Sequence, residues 1–331
     1  KMKVEFLHHY SQEHGVPRGV RAMANVARLN RWGSRLAPFS NWIARIPGMG
    51  WLQQKLFGVD RRRSLPWFYR RHFGRWFKDH QAAKSPHALP APRGKIVLLD
   101  DCLTSYCEPH VNAAAVQVLE AAGYEVVLAG LPCCGRAHIS KGLVNEAKQL
   151  AREILATLRP FVREGYWIVG AEPSCLLTLA DDYLDLVPGE EARRTAAQVR
   201  LIDSLLVQEN IQLPLRKSAQ PVVLHGHCHQ KALVGAKDTA QVCRQVSGNV
   251  KLLDSGCCGM AGSFGYEHYD ISMQIGGRVL FPAVKAATDA DIVAPGFSCR
   301  HQIQEGAGRT AEHPMEYLAR HLESSPDARI R

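Results

Sequence analysis

From residue 95 onward, short apolar runs alternate with longer stretches whose apolar residues recur at helical spacing, and the alternation is traversed twice. The first round opens with Ile96-Val97-Leu98-Leu99, the length of a buried strand. A helix is predicted over 111–122, stopped by Gly123, and a strand over 124–128. A long helix over 140–163 carries the stripe Leu143, Ala147, Leu150, Ile154, Leu158 and Val162, and a strand over 166–171 ends the round. The second round gives a strand at 221–225, a helix at 239–246 and a strand at 250–254. A helical stretch over 268–287, weakest at Gly276-Gly277, and a strand at 291–294 follow. Helices over 176–186 and 190–208 join the rounds, and one over 315–322 closes the chain. The expected fold is α/β: two similar lobes with parallel-type sheets related by a pseudo-two-fold, preceded by a mainly helical basic segment. The expected divisions are 1–94, 95–210 and 211–331.

Cysteines follow the same repeat. Cys133-Cys134-Gly135 and Cys257-Cys258-Gly259 each have a lone cysteine 41 residues beyond the pair's second member, at Cys175 and Cys299. Upstream, Cys102 lies 31 residues before Cys133, and Cys228 lies 29 before Cys257. Eight of the ten cysteines thus form two quartets, each expected just past the C-terminal ends of strands, where open α/β sheets place ligands. Adjacent cysteines bridge each other only through a strained ring, yet on a tight loop their thiolates can reach neighbouring metal atoms. The glycine after each pair suits such a loop because it tolerates φ > 0.

Two iron–sulfur sites are the reading, with Cys102, Cys133, Cys134 and Cys175 at the first and Cys228, Cys257, Cys258 and Cys299 at the second. Cys107 competes with Cys102 for the upstream role, and Cys243 is expected in the core. Disulfides suit small secreted chains, whereas 331 residues that are 46% apolar bury a core without them. Zinc is the stronger rival, since His225, His227 and His229 surround Cys228. The chain lacks the C-x2-C knuckles of zinc hairpins, and all-thiolate quartets favour iron and sulfide. His225, His227, His229 and Lys231 are candidates for tuning the second site, together with Arg136 and Arg300, which follow ligand cysteines closely. Glu172 is a candidate proton acceptor, and Asp100 and Asp101 are expected in a solvated loop.

Charge divides the chain as well. Residues 1–95 hold 19 Lys and Arg against 4 Asp and Glu, a balance of +15, while the remainder hold 22 against 27, a balance of −5. Trp32, Trp42, Trp51, Trp67 and Trp76 lie in the basic part, with helices expected over 20–29, 41–46 and 49–57 and a Pro-rich linker over 84–94. Arg61-Arg62-Arg63 before Trp67-Phe68-Tyr69-Arg70-Arg71 suits an anionic bilayer surface or a docking arm; no nucleic-acid motif accompanies it. No run reaches the eighteen apolar residues of a membrane span. Oxygen-sensitive clusters would need a reducing compartment, so a cytoplasmic protein, peripheral on the inner membrane or free of it, is expected. The first residue is Lys, so the sequence is expected to begin inside a longer polypeptide.

The doubled pattern Cys102…Cys133-Cys134-Gly135…Cys175 and Cys228…Cys257-Cys258-Gly259…Cys299 resembles the duplicated CCG, or cysteine-rich, domain family. That family includes the B subunit of heterodisulfide reductase, the iron–sulfur subunits of glycolate oxidase and lactate utilisation, and the C subunit of anaerobic glycerol-3-phosphate dehydrogenase. Glu172-Pro-Ser-Cys-Leu-Leu, His225-Gly-His-Cys-His-Gln-Lys231, Ser255-Gly-Cys-Cys-Gly-Met-Ala-Gly-Ser-Phe-Gly265 and Phe297-Ser-Cys-Arg-His-Gln-Ile303 are similar to the C-terminal part of FAD-linked oxidase/iron–sulfur fusions. The resemblance covers about 95–320. It implies [4Fe–4S] clusters, cubane or non-cubane, and an electron-transfer module for a flavin-dependent 2-hydroxy-acid dehydrogenase of the D-lactate, glycolate or D-2-hydroxyglutarate type. It also implies an FAD-binding and ferredoxin-like partner and a quinone or soluble acceptor. Heterodisulfide-reductase-like members end each half in C-x2-C, which this chain lacks at Cys175 and Cys299. A thiol/disulfide reductase is therefore the alternative, and a zinc-stabilised scaffold a third. With no ferredoxin run and no G-x-G-x-x-G, the chain is not expected to oxidise an organic substrate alone.

Overall fold

The computed structural model describes residues 1–83 and 93–323. The predicted linker at 84–94 falls almost wholly outside them. Two parallel sheets carry the repeat. In the first, β1 (Gly94–Leu98) lies between β2 (Tyr124–Val127) and β3 (Trp167–Gly170), and β4 (Val199–Leu201) adds to β3. In the second, β5 (Val222–Leu224) lies between β6 (Val250–Leu252) and β7 (Asp291–Val293). Val97, Leu98, Ile168 and Val169 are buried, as strands covered on both faces must be, so these strands read as unbroken apolar runs.

Register makes the duplication concrete. Ile96 pairs with Val126 and Trp167 as Val222 pairs with Val250 and Asp291. Cys102 lies as far beyond Ile96 as Cys228 beyond Val222; likewise Cys134 and Cys258 follow their strands equally, as do Cys175 and Cys299. The halves therefore share strand order and cysteine positions. Even β4 has a counterpart, a single parallel bridge between Val293 and Glu312.

The halves also exchange helices. Ile202–Gln208, which follows β4, packs on Lys237–Arg244 of the second half, and Pro314–Arg320 packs on Pro109–Ala121 of the first. One core results, joining Leu98, Val118, Leu119 and Leu205 to Leu224, Val242, Cys243, Met315 and Leu318. His313 sits at this exchange. Its Nδ1 accepts the Met315 N–H at 3.0 Å, leaving Nε2–H to donate to the Ala171 carbonyl at 2.9 Å. Burial, reinforced by the Arg300 charge, holds the imidazole well below its ordinary pKa of 6.5. The unfolded chain then takes the proton first, so this contribution is complete above about pH 6.5 and declines as pH falls below it. Denaturant midpoints should drop between pH 7.5 and 5, and His313→Asn, which keeps a cap, should flatten that slope. An unchanged slope would assign the loss to other groups.

Several predicted helices are broken in the structure. The one expected over 140–163 is split into Arg136–Ser140 and Val144–Arg163, because Gly142 takes φ 74° and lets Leu7 of the first helix press against it. The helix expected over 190–208 is interrupted by β4, since the open edge of β3 offers backbone partners to Val199–Leu201. The weak point at Gly276-Gly277 is a true break between Tyr269–Gly277 and Leu280–Ala286.

The N-terminal segment is helical and clasps both halves. Val59 joins Leu253, Cys258 and Cys299 in one apolar cluster, with Met23 and Leu65 packed against it. Arg63 is buried, donating to Gly265 O (2.7 Å) and Gln302 Oε1 (2.8 Å), and it pairs with Glu305. Phe73 is fully buried, and Trp76 and Phe77 pack on the shared core. Asn30 Nδ2 donates to the Cys102 carbonyl at 3.3 Å.

Candidate metal centres

Four of the cysteines sit in the first turns of helices; of these, only the one expected over 176–186 was foreshadowed, and it begins earlier, at Pro173, and breaks at Asp181. Cys102 opens Cys102–Tyr106, Cys175 lies in Pro173–Ala180, Cys228 opens Cys228–Leu233 and Cys299 lies in Phe297–Ala307. The exposed N–H groups and partial positive charge of a helix start favour thiolate over thiol. Asp101, expected to be solvated, is instead buried, because its side chain caps the Cys102 helix: Oδ1 accepts from Leu103 N (2.9 Å) and Thr104 N (3.1 Å). Burial, added to by the Glu172 charge, raises its carboxyl to about 7, and burial raises Asp100 to about 6.

The eight thiols come together as two separate chains of contacts. Cys102 lies against Cys133, Cys133 against Cys134, and Cys134 against Cys175. Cys228, Cys257, Cys258 and Cys299 repeat the order. No disulfide joins any of the ten cysteines. Cys107 caps the far end of the Cys102 helix, buried beside Glu108, and makes no contact with the quartet; Cys243 lies in the shared core. Within each pair the first thiol is held well below its usual range by its two cysteine neighbours, Cys102 and Cys134 for Cys133, Cys228 and Cys258 for Cys257. The amide after the pair helps: Gly259 N–H donates to Cys257 Sγ at 3.3 Å.

That amide points inward because Gly135 and Gly259 take φ 76° and 99°. At Gly259 a Cβ would lie 2.3 Å from the Ser272 carbonyl oxygen. Gly259→Ala should therefore destabilise the fold by roughly 1–3 kcal/mol and disturb the Cys257-Cys258 loop, visible as a lower melting temperature than wild type. An unchanged melting temperature would show that the loop relaxes freely.

The surroundings of the two quartets differ. His225 is buried, its Nδ1 2.7 Å from Ser255 Oγ, and among the described residues its Nε2 has no nitrogen or oxygen partner. One ring nitrogen lies within 4.8 Å of the Cys258 and Cys299 sulfurs. Cys299 is held well below the usual thiol range, first by its Cys258 contact and then by His225 and His227. At the equivalent Cys175 the Cys134 contact also pulls downward, but burial with Asp101 and Glu172 prevails and pushes the thiol up to about 12.

The other candidates have defined places. His227 Nε2 lies 3.2 Å from Ser174 Oγ, beside Cys175, so it bridges from the second quartet to the first. His229 sits near Arg136 and Asp181 and is pushed down to about 4, chiefly by burial. Lys231 Nζ donates to the Ser255 carbonyl and, at 3.0 Å, to that of Gly256, closing the loop that carries Cys257. Arg136 pairs with Asp182 at 2.8 Å. Arg300 is buried, donates to the carbonyls of Ala294 (2.9 Å) and Pro295 (2.8 Å), and pairs with Glu108. Both arginines are committed to carboxylates.

Glu172 is buried between the sites. Its Oε1 accepts from Ser174 N at 3.2 Å and its Oε2 from Phe297 N at 2.7 Å, so one carboxylate caps the Cys175 and Cys299 helices. The second half has Gly296 at the equivalent place, where a Cβ would lie 2.4 Å from the His227 ring. Ser174 and Ser255 stand within the motifs quoted above but had no role assigned, and Gly296 was not singled out, because serine and glycine are common in loops and their partners are distant. Capping had a local sign, an acidic residue before a helix start, that Asp101 displays. The donor chemistry suits an iron–sulfur group at each site: four thiols, helix starts to offset charge, and a glycine turn where a side chain would collide.

A family model described as Cysteine-rich domain (CCG) matches residues 96–180 and 222–304. The chain is 26% identical over 294 residues to the C subunit of anaerobic glycerol-3-phosphate dehydrogenase of Escherichia coli K12, covering 86% of this chain and 72% of that protein. It is 28% identical over 228 residues to D-2-hydroxyglutarate dehydrogenase of the same strain, covering 67% of this chain but 22% of that protein. Lactate utilization protein A of Bacillus velezensis is 28% identical over 195 residues, which cover 55% of this chain and 79% of that protein.

Proposed function

Because the chain belongs to the cysteine-rich (CCG) domain family and carries the domain twice, we propose that it is the iron–sulfur electron-transfer module of a flavin-dependent 2-hydroxy-acid dehydrogenase. The observation that carries this reading is the pair of four-thiol sites that share no cysteine. Clusters there would supply one-electron carriers between a two-electron flavin and a quinone or soluble acceptor. Cys102, Cys133, Cys134 and Cys175 would hold one, and Cys228, Cys257, Cys258 and Cys299 the other. The helix starts stabilise the ligand charge, Gly135 and Gly259 bring backbone N–H groups to the paired cysteines, and Glu172 fixes both sites in one frame.

The FAD-binding and ferredoxin-like functions belong to a partner or to another part of a longer chain. The docking surface is the N-terminal segment: among the described residues, fifteen of the twenty exposed large apolar side chains precede residue 70, Trp32, Trp42, Trp51 and Trp67 included. Arg35 stacks on Trp32, Arg45 on Trp67 and Lys55 on Trp51, the amphipathic mixture that suits either a partner protein or an anionic membrane face. No helix among the described residues is long and apolar enough to cross a membrane.

A zinc reading draws on His225, Cys258 and Cys299, whose donor atoms lie within 4.8 Å of one another, close enough to share a single ion. Anaerobic reconstitution followed by iron, sulfide and zinc analysis separates the two. The test of function is substrate-driven cluster bleaching with D-lactate, glycolate or D-2-hydroxyglutarate. Bleaching is expected only with the flavoprotein part present; bleaching by this chain alone would overturn the relay, and none with the partner would favour a thiol/disulfide reductase.

A further inference from the structure

Equivalent positions around the two quartets carry opposite chemistry. Because Ile96 and Val222 occupy the same register, the residues that follow them correspond one to one. Leu99 stands where the second half has His225, Asp101 where it has His227, Leu103 where it has His229, and Ser105 where it has Lys231. On this segment the first site is thus flanked by an aliphatic side chain and a buried carboxyl whose oxygens already accept from its own helix, while the buried His138 faces Cys133 from the helix that follows the pair. The second has His225 and His227, both acting on Cys299, with one ring nitrogen of His225 close to the Cys258 and Cys299 sulfurs; Lys231 closes the Cys257 loop and His229 turns toward Arg136 and Asp181. Hydrogen-bond donors and positive charge near a cluster stabilise its more negative, reduced state, whereas buried negative charge opposes it.

Resting on the electron-transfer reading above, we infer that the two sites are unequal: an electron is held more tightly at Cys228, Cys257, Cys258 and Cys299 than at Cys102, Cys133, Cys134 and Cys175. His225 is the positioning residue that sets the difference. Electrons then pass from the first site to the second and leave from there. A reduced flavin releases two electrons in single steps and its protons to solvent. Each electron moves between sites without a bond forming or breaking. A quinone or other oxidised carrier takes them up.

Structure supports direct exchange between the sites. His227 of the second quartet's helix meets Ser174 beside Cys175, and Glu172 caps helices of both.

An EPR-monitored redox titration of the reconstituted full chain tests this. Cys134→Ser leaves only the second site and Cys258→Ser only the first, so each potential is assigned separately. The Cys134→Ser protein is expected to reduce at the higher potential; equal or reversed potentials would overturn the inference. His225→Leu, which installs the first-site residue, should lower the second-site potential and leave the first unmoved. His225→Asn, which keeps a donor, should restore most of it. The reciprocal Leu99→His should raise the first-site potential, and a second-site potential indifferent to residue 225 would remove His225 from its role. A chain that takes up iron at both sites yet shows the wrong order overturns this inference alone. A chain that takes up no iron overturns the reading of the sites beneath it.

Discussion

Serine in place of Cys258 is expected to remove about half of the iron from the reconstituted chain, and serine at Cys134 the other half. Each is the buried member of its pair and touches two other thiols of its quartet, so its loss breaks the ligand set in the middle. Because the quartets have no cysteine in common, the remaining site should load normally, and the double variant should hold no cluster. Cys107→Ser and Cys243→Ser serve as controls, since neither thiol contacts a quartet. Anaerobic iron and sulfide counts with the visible absorbance give the answer. Iron loss in the Cys107 variant would transfer the upstream role at the first site from Cys102 to Cys107.

Arg63→Ala should cost about 3–5 kcal/mol of stability, the largest loss expected from any single change in the N-terminal segment. Its side chain is fully buried and bonds Gly265 O, Gln302 Oε1, Ser272 Oγ and Glu305. Removal leaves the half-buried Glu305 with His301 and Ser64 but without its arginine partner, and leaves Ser272 and Gln302 short of a donor. Those groups lie on the helices around the second site, so the damage should be asymmetric: iron at the Cys228–Cys299 set should fall before iron at the other. Arg63→Met combined with Glu305→Gln removes both charges and should recover part of the loss. Chemical denaturation of the three proteins checks this, and equal stability of Arg63→Ala and wild type would show that residues 59–65 do not hold the second half.

Much of the site was legible in the sequence because its chemistry is local and doubled. The Cys-Cys-Gly loops required glycine, and both glycines take positive φ. Equal spacing of Cys175 and Cys299 from their pairs corresponds to equal distance beyond β3 and β7. The short helices that begin at Cys102 and Cys228 were not legible, since five or six residues give too little periodicity to distinguish a helix from a loop. Asp101 was misjudged for the same reason: without the helix behind it, a capping carboxylate looks like a solvated one.

By itself the sequence determined the apolar strands, the two quartets, the helical basic segment and the α/β class, all of which depend on residue type and on neighbours a few positions away. Tertiary structure alone decided the rest. It made Val199–Leu201 a strand by offering them the edge of β3, exchanged Ile202–Gln208 and Pro314–Arg320 between halves, and set Glu172 across both sites. It also placed His225 against sulfurs from two other segments of the chain. These contacts join residues from 27 to more than 100 positions apart, and their energy exists only once the sheets have formed and closed the distance.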